Sequence, residues 1–114
     1  MTLLELYERV NLICALDQRR FFNFYNDTVA ELEGLYGNKK TLLFRDGTDE
    51  TPVDSLECEN KVLPLYDIAV VDNILFLCGQ GELYKNESLR KAQEAYLWYW
   101  NNDAKNRRLR RGAW

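Results

Sequence analysis

Leu63-Pro-Leu-Tyr-Asp-Ile-Ala-Val-Val-Asp-Asn-Ile-Leu-Phe-Leu-Cys78 is the most apolar run in this chain, and a proline stands at its head. Proline lacks a backbone N–H and holds a helical φ, so the first turn of a helix accepts it. From Leu65 to Cys78 the residues are apolar on nearly every side of a helix, which predicts a central, buried helix. Asp67, Asp72 and Asn73 interrupt the run, and it falls short of the roughly 20 residues a membrane span needs, so no membrane is implied. Gly79-Gln-Gly81 supplies the stop. Asp67 suits the positive end of the helix dipole. Asp72 and Asn73 are expected to line the one face that meets solvent or a neighbouring subunit; the competing reading is a ligand site, because buried polar groups must find partners.

Three further helices read outward from this one. Thr2 and Glu5 have the capping-box spacing, and Leu3, Leu6, Tyr7, Val10, Ile13 and Cys14 follow at three- and four-residue steps, predicting a helix to about residue 16. Phe21, Phe22, Tyr25, Val29, Leu32 and Tyr36 predict a second helix, capped by Asp17 and stopped at Gly37. A fourth is expected from near Glu87 to about residue 106, with Leu89, Ala92, Tyr96, Tyr99 and Trp100 on one face and Tyr96, Trp98, Tyr99 and Trp100 as an aromatic hub. Residues 38–63 are the least helical part. Asp46-Gly47 is a turn signal, and either a small hairpin of Leu42–Phe44 against Val53–Leu56 or an irregular loop fits the pattern. The fold class is therefore mainly α: a four-helix bundle with a loop or small β-hairpin insertion between helices 2 and 3 and an extended C-terminal tail. Residues 1–104 form the helical domain, and 105–114 the basic tail.

With 46% hydrophobic and 29% charged residues in 114, the composition is that of one folded domain. The formal net charge of −3 hides a polar layout. Residues 1–104 carry 10 bases and 18 acids, whereas 105–114 carry five bases and no acid. The early Glu5 and Glu8, with no basic stretch before an apolar run, do not match a secretory signal. Cys14, Cys58 and Cys78 are an odd, widely spaced set with no histidine beside them, which fits neither a disulfide framework nor a zinc site. Cys14 and Cys78 read as small core residues of a reduced, intracellular protein, and Cys58 as exposed.

Chemistry has few footholds. Without histidine the commonest general base is missing, and the loop carboxylates Asp49, Glu50, Glu57 and Glu59 read as solvated, so no catalytic residue, cofactor or metal is expected. The tail residues Lys105, Arg107, Arg108, Arg110 and Arg111 allow three readings: docking on an acidic protein surface, salt-sensitive contact with DNA phosphates, or a solvated helix end. Trp114 is a candidate aromatic anchor for a partner's pocket.

Thr51-Pro-Val-Asp-Ser-Leu-Glu57, leading into Leu63-Pro-Leu-Tyr-Asp-Ile-Ala-Val-Val71 with Glu87-Ser-Leu-Arg-Lys-Ala-Gln-Glu-Ala-Tyr96 behind it, resembles the head-tail connector, or head-completion adaptor, proteins of tailed bacteriophages. The resemblance covers most of the chain as an order of elements and soft motifs. It implies a non-enzymatic virion subunit, present in the host cytoplasm before assembly, that forms a ring, usually dodecameric, beneath the portal at the capsid vertex. Such a ring bridges portal and tail and helps retain packaged DNA, which passes through the lumen without sequence-specific contact; an acidic lumen would let it slide. The family's C-terminal segment engages the portal, which maps here onto Lys105, Arg107, Arg108, Leu109, Arg110, Arg111 and Trp114. The loop, with Leu42, Phe44, Val53 and Leu56, would meet neighbouring copies or the next tail component. The alternative is a small helical DNA-binding or regulatory protein using the same basic tail.

Overall fold

The computed structural model describes residues 1–103. Four α-helices carry this part of the chain: α1 (Leu3–Asn11), α2 (Gln18–Tyr36), α3 (Asp67–Leu77) and α4 (Glu82–Asn102), with single 3-10 turns at Lys40–Leu42 and Pro64–Tyr66. The Pro64 turn runs directly into α3, as the proline-led apolar run requires. The fold is mainly helical, with α3 packed along α4 and also touching α1 and α2.

Burial on all sides of α3 follows from its composition. Ala69, Val70, Ile74 and Leu75 are fully buried, and a side chain such as Ile74 contributes about 2 kcal/mol by leaving water. Against them lie Leu3, Leu6 and Val10 of α1 and Phe21, Tyr25, Val29 and Leu32 of α2. From α4 come small residues: Ser88, Ala92 and Ala95 are its buried set. Small side chains let the two backbones approach closely, and the Ser88 hydroxyl donates to the Ala69 carbonyl at 2.7 Å.

Helix boundaries follow local hydrogen bonding. Thr2 and Glu5 form the capping box. The helix then ends at Asn11, earlier than the apolar periodicity suggests. The Asn11 amide explains this: its Nδ2 donates to the Tyr7 carbonyl and its Oδ1 accepts from the Leu16 N–H. That clamp turns the chain so that Leu16 is buried and Ile13 is 52% exposed. Asp17 caps α2 by accepting from the Arg20 N–H at 2.8 Å. At Gly37, which ends α2, a Cβ would collide with the Glu33 carbonyl oxygen, so glycine is needed for space. The fourth helix starts at Glu82, not near Glu87, directly after Gly79 and Gly81 take positive φ. Its first turn lacks apolar periodicity because Leu83 points to solvent.

The hairpin does not form. Among the described residues there are no strands, only isolated bridges pairing Phe44 with Val62 and Thr2 with Glu59. The loop between α2 and α3 is instead an irregular strap sewn onto the helices. Its Leu56 and Cys58 carbonyls accept from the Leu4 and Leu3 N–H groups, satisfying donors left open at the start of α1. The Asn26 side chain of α2 both donates to and accepts from the Val53 backbone, at 3.0 Å each way, much as a neighbouring strand would.

Candidate functional site

The polar residues on the apolar helix are the first place to look for chemistry, and each is held by a partner within the chain. Asp67 Oδ1 accepts from Asn60 Nδ2 at 2.6 Å, and Asp67 Oδ2 from the Met1 ammonium at 3.2 Å. Asn60 in turn accepts from the Tyr25 hydroxyl at 2.7 Å, and that hydroxyl accepts from the Lys61 N–H at 2.8 Å. Burial holds the Tyr25 phenol above its ordinary pKa, so it stays a donor. The result is one continuous polar chain joining the start of α1, the middle of α2, the strap and the start of α3.

Asp72 and Asn73 do not line a face open to solvent, contrary to the expectation from spacing. They are 8% and 1% exposed. Asp72 pairs with Lys91 of α4 at 2.8 Å. Asn73 donates to the Thr28 hydroxyl at 2.8 Å and accepts from Lys85 at 2.9 Å, while Lys85 also pairs with Glu31. A nearly dry helix surrounded on all sides cannot keep an unpaired carboxylate, so α4 supplies Lys91 to Asp72. No buried side-chain polar atom among the described residues lacks a hydrogen-bond partner.

Asp49, Glu50 and Glu59 of the loop are engaged separately rather than as acid–base pairs. Asp49 caps the Thr51 N–H, and Glu50 pairs with Lys40 at 2.9 Å. That hydrogen bond holds the Glu50 carboxyl below its usual range, which is the wrong direction for a general acid. A cavity of about 460 Å³ opens beside them, lined by Val29, Phe44, Arg45, Asp46, Glu50 and Lys61 among others. Its cations are already used: the Arg45 Nε donates to the Asn60 carbonyl at 2.6 Å, and Lys61 donates to the Asp49 and Thr51 carbonyls. Among the described residues no group of His, Cys, Asp or Glu could hold a metal ion, and no helix is long and apolar enough to cross a membrane.

Leu42, Phe44, Val53 and Leu56, read from the sequence as side chains for neighbouring copies, face inward. Leu42 and Val53 are buried, and Phe44 and Leu56 pack against the core. The aromatic hub forms and reaches beyond α4: within the helix Tyr96 stacks on Trp100 at 6.4 Å and Trp98 meets Tyr99 edge-on at 5.3 Å. Tyr96 stacks on Tyr36 at 4.8 Å between ring centroids and Tyr99 on Tyr66 at 5.7 Å, whereas Trp98 is 53% exposed. Leu89, expected on the packed face, is 40% exposed. The end of α4 is anchored by Lys39, which pairs with Asp103 at 3.5 Å and lies 4.7 Å from the Trp100 ring centroid. The tail candidates Lys105, Arg107, Arg108, Leu109, Arg110, Arg111 and Trp114 lie outside the described residues.

Sequence reading missed Asn60, Asn26 and the Met1 amine as structural centres. Both asparagines sit in polar surroundings where nothing in the local pattern separates a buried amide from a solvated one. No family model, curated protein or solved structure matches the chain.

Proposed function

We propose that this chain is a structural adaptor subunit of a tailed-phage virion, placed between portal and tail at the capsid vertex and helping to retain packaged DNA. The observation that carries the reading is where its apolar side chains are left. On a small body, Leu12 is 86%, Leu83 79%, Trp98 53%, Leu97 48% and Leu65 47% exposed, while the polar residues of its most apolar helix are taken up as internal struts. Large apolar groups in water favour contact with other protein chains. The sequence resemblance supplies the identity of those chains: the portal, neighbouring copies in a ring, and the next tail component. In this reading Lys105 to Trp114 dock on the portal, as the resemblance implies, the five bases of this segment suiting an acidic surface there. The inward-facing loop residues leave inter-subunit contact to exposed side chains such as Leu12 and Trp98.

The test is reconstruction of particles made with the full chain and with a version ending at Ala104. Vertex density that vanishes with the tail supports both the adaptor role and tail docking. Density that persists keeps the adaptor and removes the tail as its anchor. Absence in both cases, together with salt-dependent DNA affinity of the free chain, replaces this reading with the DNA-binding one.

A further inference from the structure

The cavity between the second half of α2 and the strap is apolar at its floor and acidic at its rim. Val29 and Phe44 make the floor, and the exposed Glu33, Asp46, Asp49 and Glu50 stand around it. Its bases are committed within the chain: Lys40 pairs with Glu50 at 2.9 Å, Arg45 Nε donates to the Asn60 carbonyl, and Lys61 donates to the Asp49 and Thr51 carbonyls. Asp49 accepts from the Thr51 N–H, whereas the Glu33 and Asp46 carboxylates accept no hydrogen bond among the described residues. An apolar floor under two uncommitted carboxylates matches a side chain with an apolar stem and a planar cationic head, which is arginine.

The end of α4 lies at the lip of this cavity. Asp103 pairs with Lys39 at 3.5 Å, and the next residue, Lys40, lines the cavity. Thr41 lines the cavity on one side and, on the other, a hollow that it shares with Asn102 and Asp103. The sequence continues from there as Ala104-Lys-Asn-Arg-Arg-Leu-Arg-Arg-Gly-Ala-Trp114, with five bases and no acid. Arg107 and Arg108 stand four and five positions past Asp103, which is at most about 14 to 18 Å of extended chain. That length passes over Thr41 and into the cavity.

We propose that in the free chain residues 105–111 fold back over Thr41 into this cavity, Arg107 and Arg108 pairing with Glu33 and Asp46, so that the protein holds its own basic tail on an acidic rest site. Pairs at an exposed rim are weak and screened by salt, and the arginine stems on Val29 and Phe44 add to them. The tail is therefore held yet exchangeable. A partner with a denser acidic surface draws it out, so the cavity competes with the partner for the same bases. That use rests on the adaptor reading; the resting contact does not.

The experiment compares amide chemical shifts of the isotope-labelled full chain with those of the full chain carrying Arg107→Gln and Arg108→Gln. Expected at low salt are differences confined to the cavity, at Glu33, Lys40, Asp46, Gly47 and Glu50, that do not change on dilution. They should vanish in concentrated salt, since at 1 M the Debye length is only about 3 Å. Glu33→Gln with Asp46→Asn should release the contact from the other side, moving the amides of residues 105–111. Glu94→Gln, on the exposed face of α4 and paired there with Arg90, should leave those amides where they are. Cavity amides that ignore the arginine substitutions, or tail amides that respond as much to Glu94→Gln, would overturn the proposal. Differences that grow with protein concentration would also overturn it, because they place the tail of one copy in the cavity of another. The readout is on the isolated chain, so failure here leaves vertex occupancy untouched, and failure at the vertex leaves this result standing.

Discussion

The Tyr25 hydroxyl donates to Asn60 Oδ1 at 2.7 Å, across 35 positions of sequence and entirely within the buried interior. That contact ties the strap to the middle of α2. Asn60 uses its other end to hold Asp67, so an α2 tyrosine and an α3 carboxylate are read by the same amide.

Removing the amide should therefore cost more than removing the phenol hydroxyl. Asn60→Ala strips Asp67 of its closest donor and leaves the Tyr25 hydroxyl without its acceptor, and about 3 kcal/mol of stability should be lost. Tyr25→Phe keeps Asn60 and Asp67 together, leaves Asn60 Oδ1 its Val62 N–H donor at 3.3 Å and strips the Lys61 N–H of its acceptor, for about 1–2 kcal/mol. Urea denaturation of both variants measures the order, and a larger loss in Tyr25→Phe would contradict it.

Asp72 and Lys91 are unequally placed, with side chains 11% and 31% exposed in their 2.8 Å pair. Lys91→Met leaves a nearly dry carboxylate without its cation and should destabilise the fold by about 2–3 kcal/mol. Asp72→Asn leaves Lys91 free to reach water and its second partner Glu87 at 3.8 Å, so its cost should stay near 1 kcal/mol. Equal losses in thermal unfolding would mean that the carboxylate is less enclosed than the packing indicates.

Helix α4 packs through Ser88, Ala92 and Ala95, and Ala92→Leu should force the α3–α4 contact apart for about 1–3 kcal/mol. The exposed Arg90→Leu, two residues away, gives up only surface ion pairs with Glu87 and Glu94 and should lower Tm far less, and a thermal melt of each separates them.

The contrast also explains what could be read from the sequence. The existence of all four helices, the Thr2 and Asp17 caps, the Gly37 stop and the buried run after Pro64 are local properties, written in spacing and cap chemistry within a few residues. The packed face of α4 is not local. Periodicity rewards large apolar residues and so points to Leu89, while close approach to α3 rewards alanine and serine, which carry little hydrophobic signal. The strap fails for a similar reason: its order comes from side-chain amides acting as backbone partners, and Asn26 and Asn60 look like any polar loop residue until α2 and α3 are packed. The inward turn of Asp72 and Asn73 was hidden because their partners, Lys91, Lys85 and Thr28, are supplied by other helices.

Alkaline pH gives the last test, and it bears on the same buried aromatics. Burial raises the phenols of Tyr25 and Tyr66 above their ordinary value of 10.0, because the phenolate would have to leave water. In the unfolded chain both ionise near pH 10, while in the folded chain both keep their protons. A folded-state value above the unfolded one means that the stabilisation is complete below about pH 10 and is lost as pH rises beyond it, since proton release then favours the unfolded state. Burial also holds the Cys78 thiol above its ordinary value of 9.0, so stability should begin to fall above about pH 9 and fall steeply above about 10, with the phenolate absorbance of these two tyrosines appearing together with loss of helical circular dichroism. Tyr66→Phe removes one ionising group at the cost of the hydrogen bond to the Leu42 carbonyl at 2.9 Å, so it should lower stability at pH 8 yet reduce the slope above pH 10. A variant that keeps the full alkaline slope would show that other groups govern unfolding there.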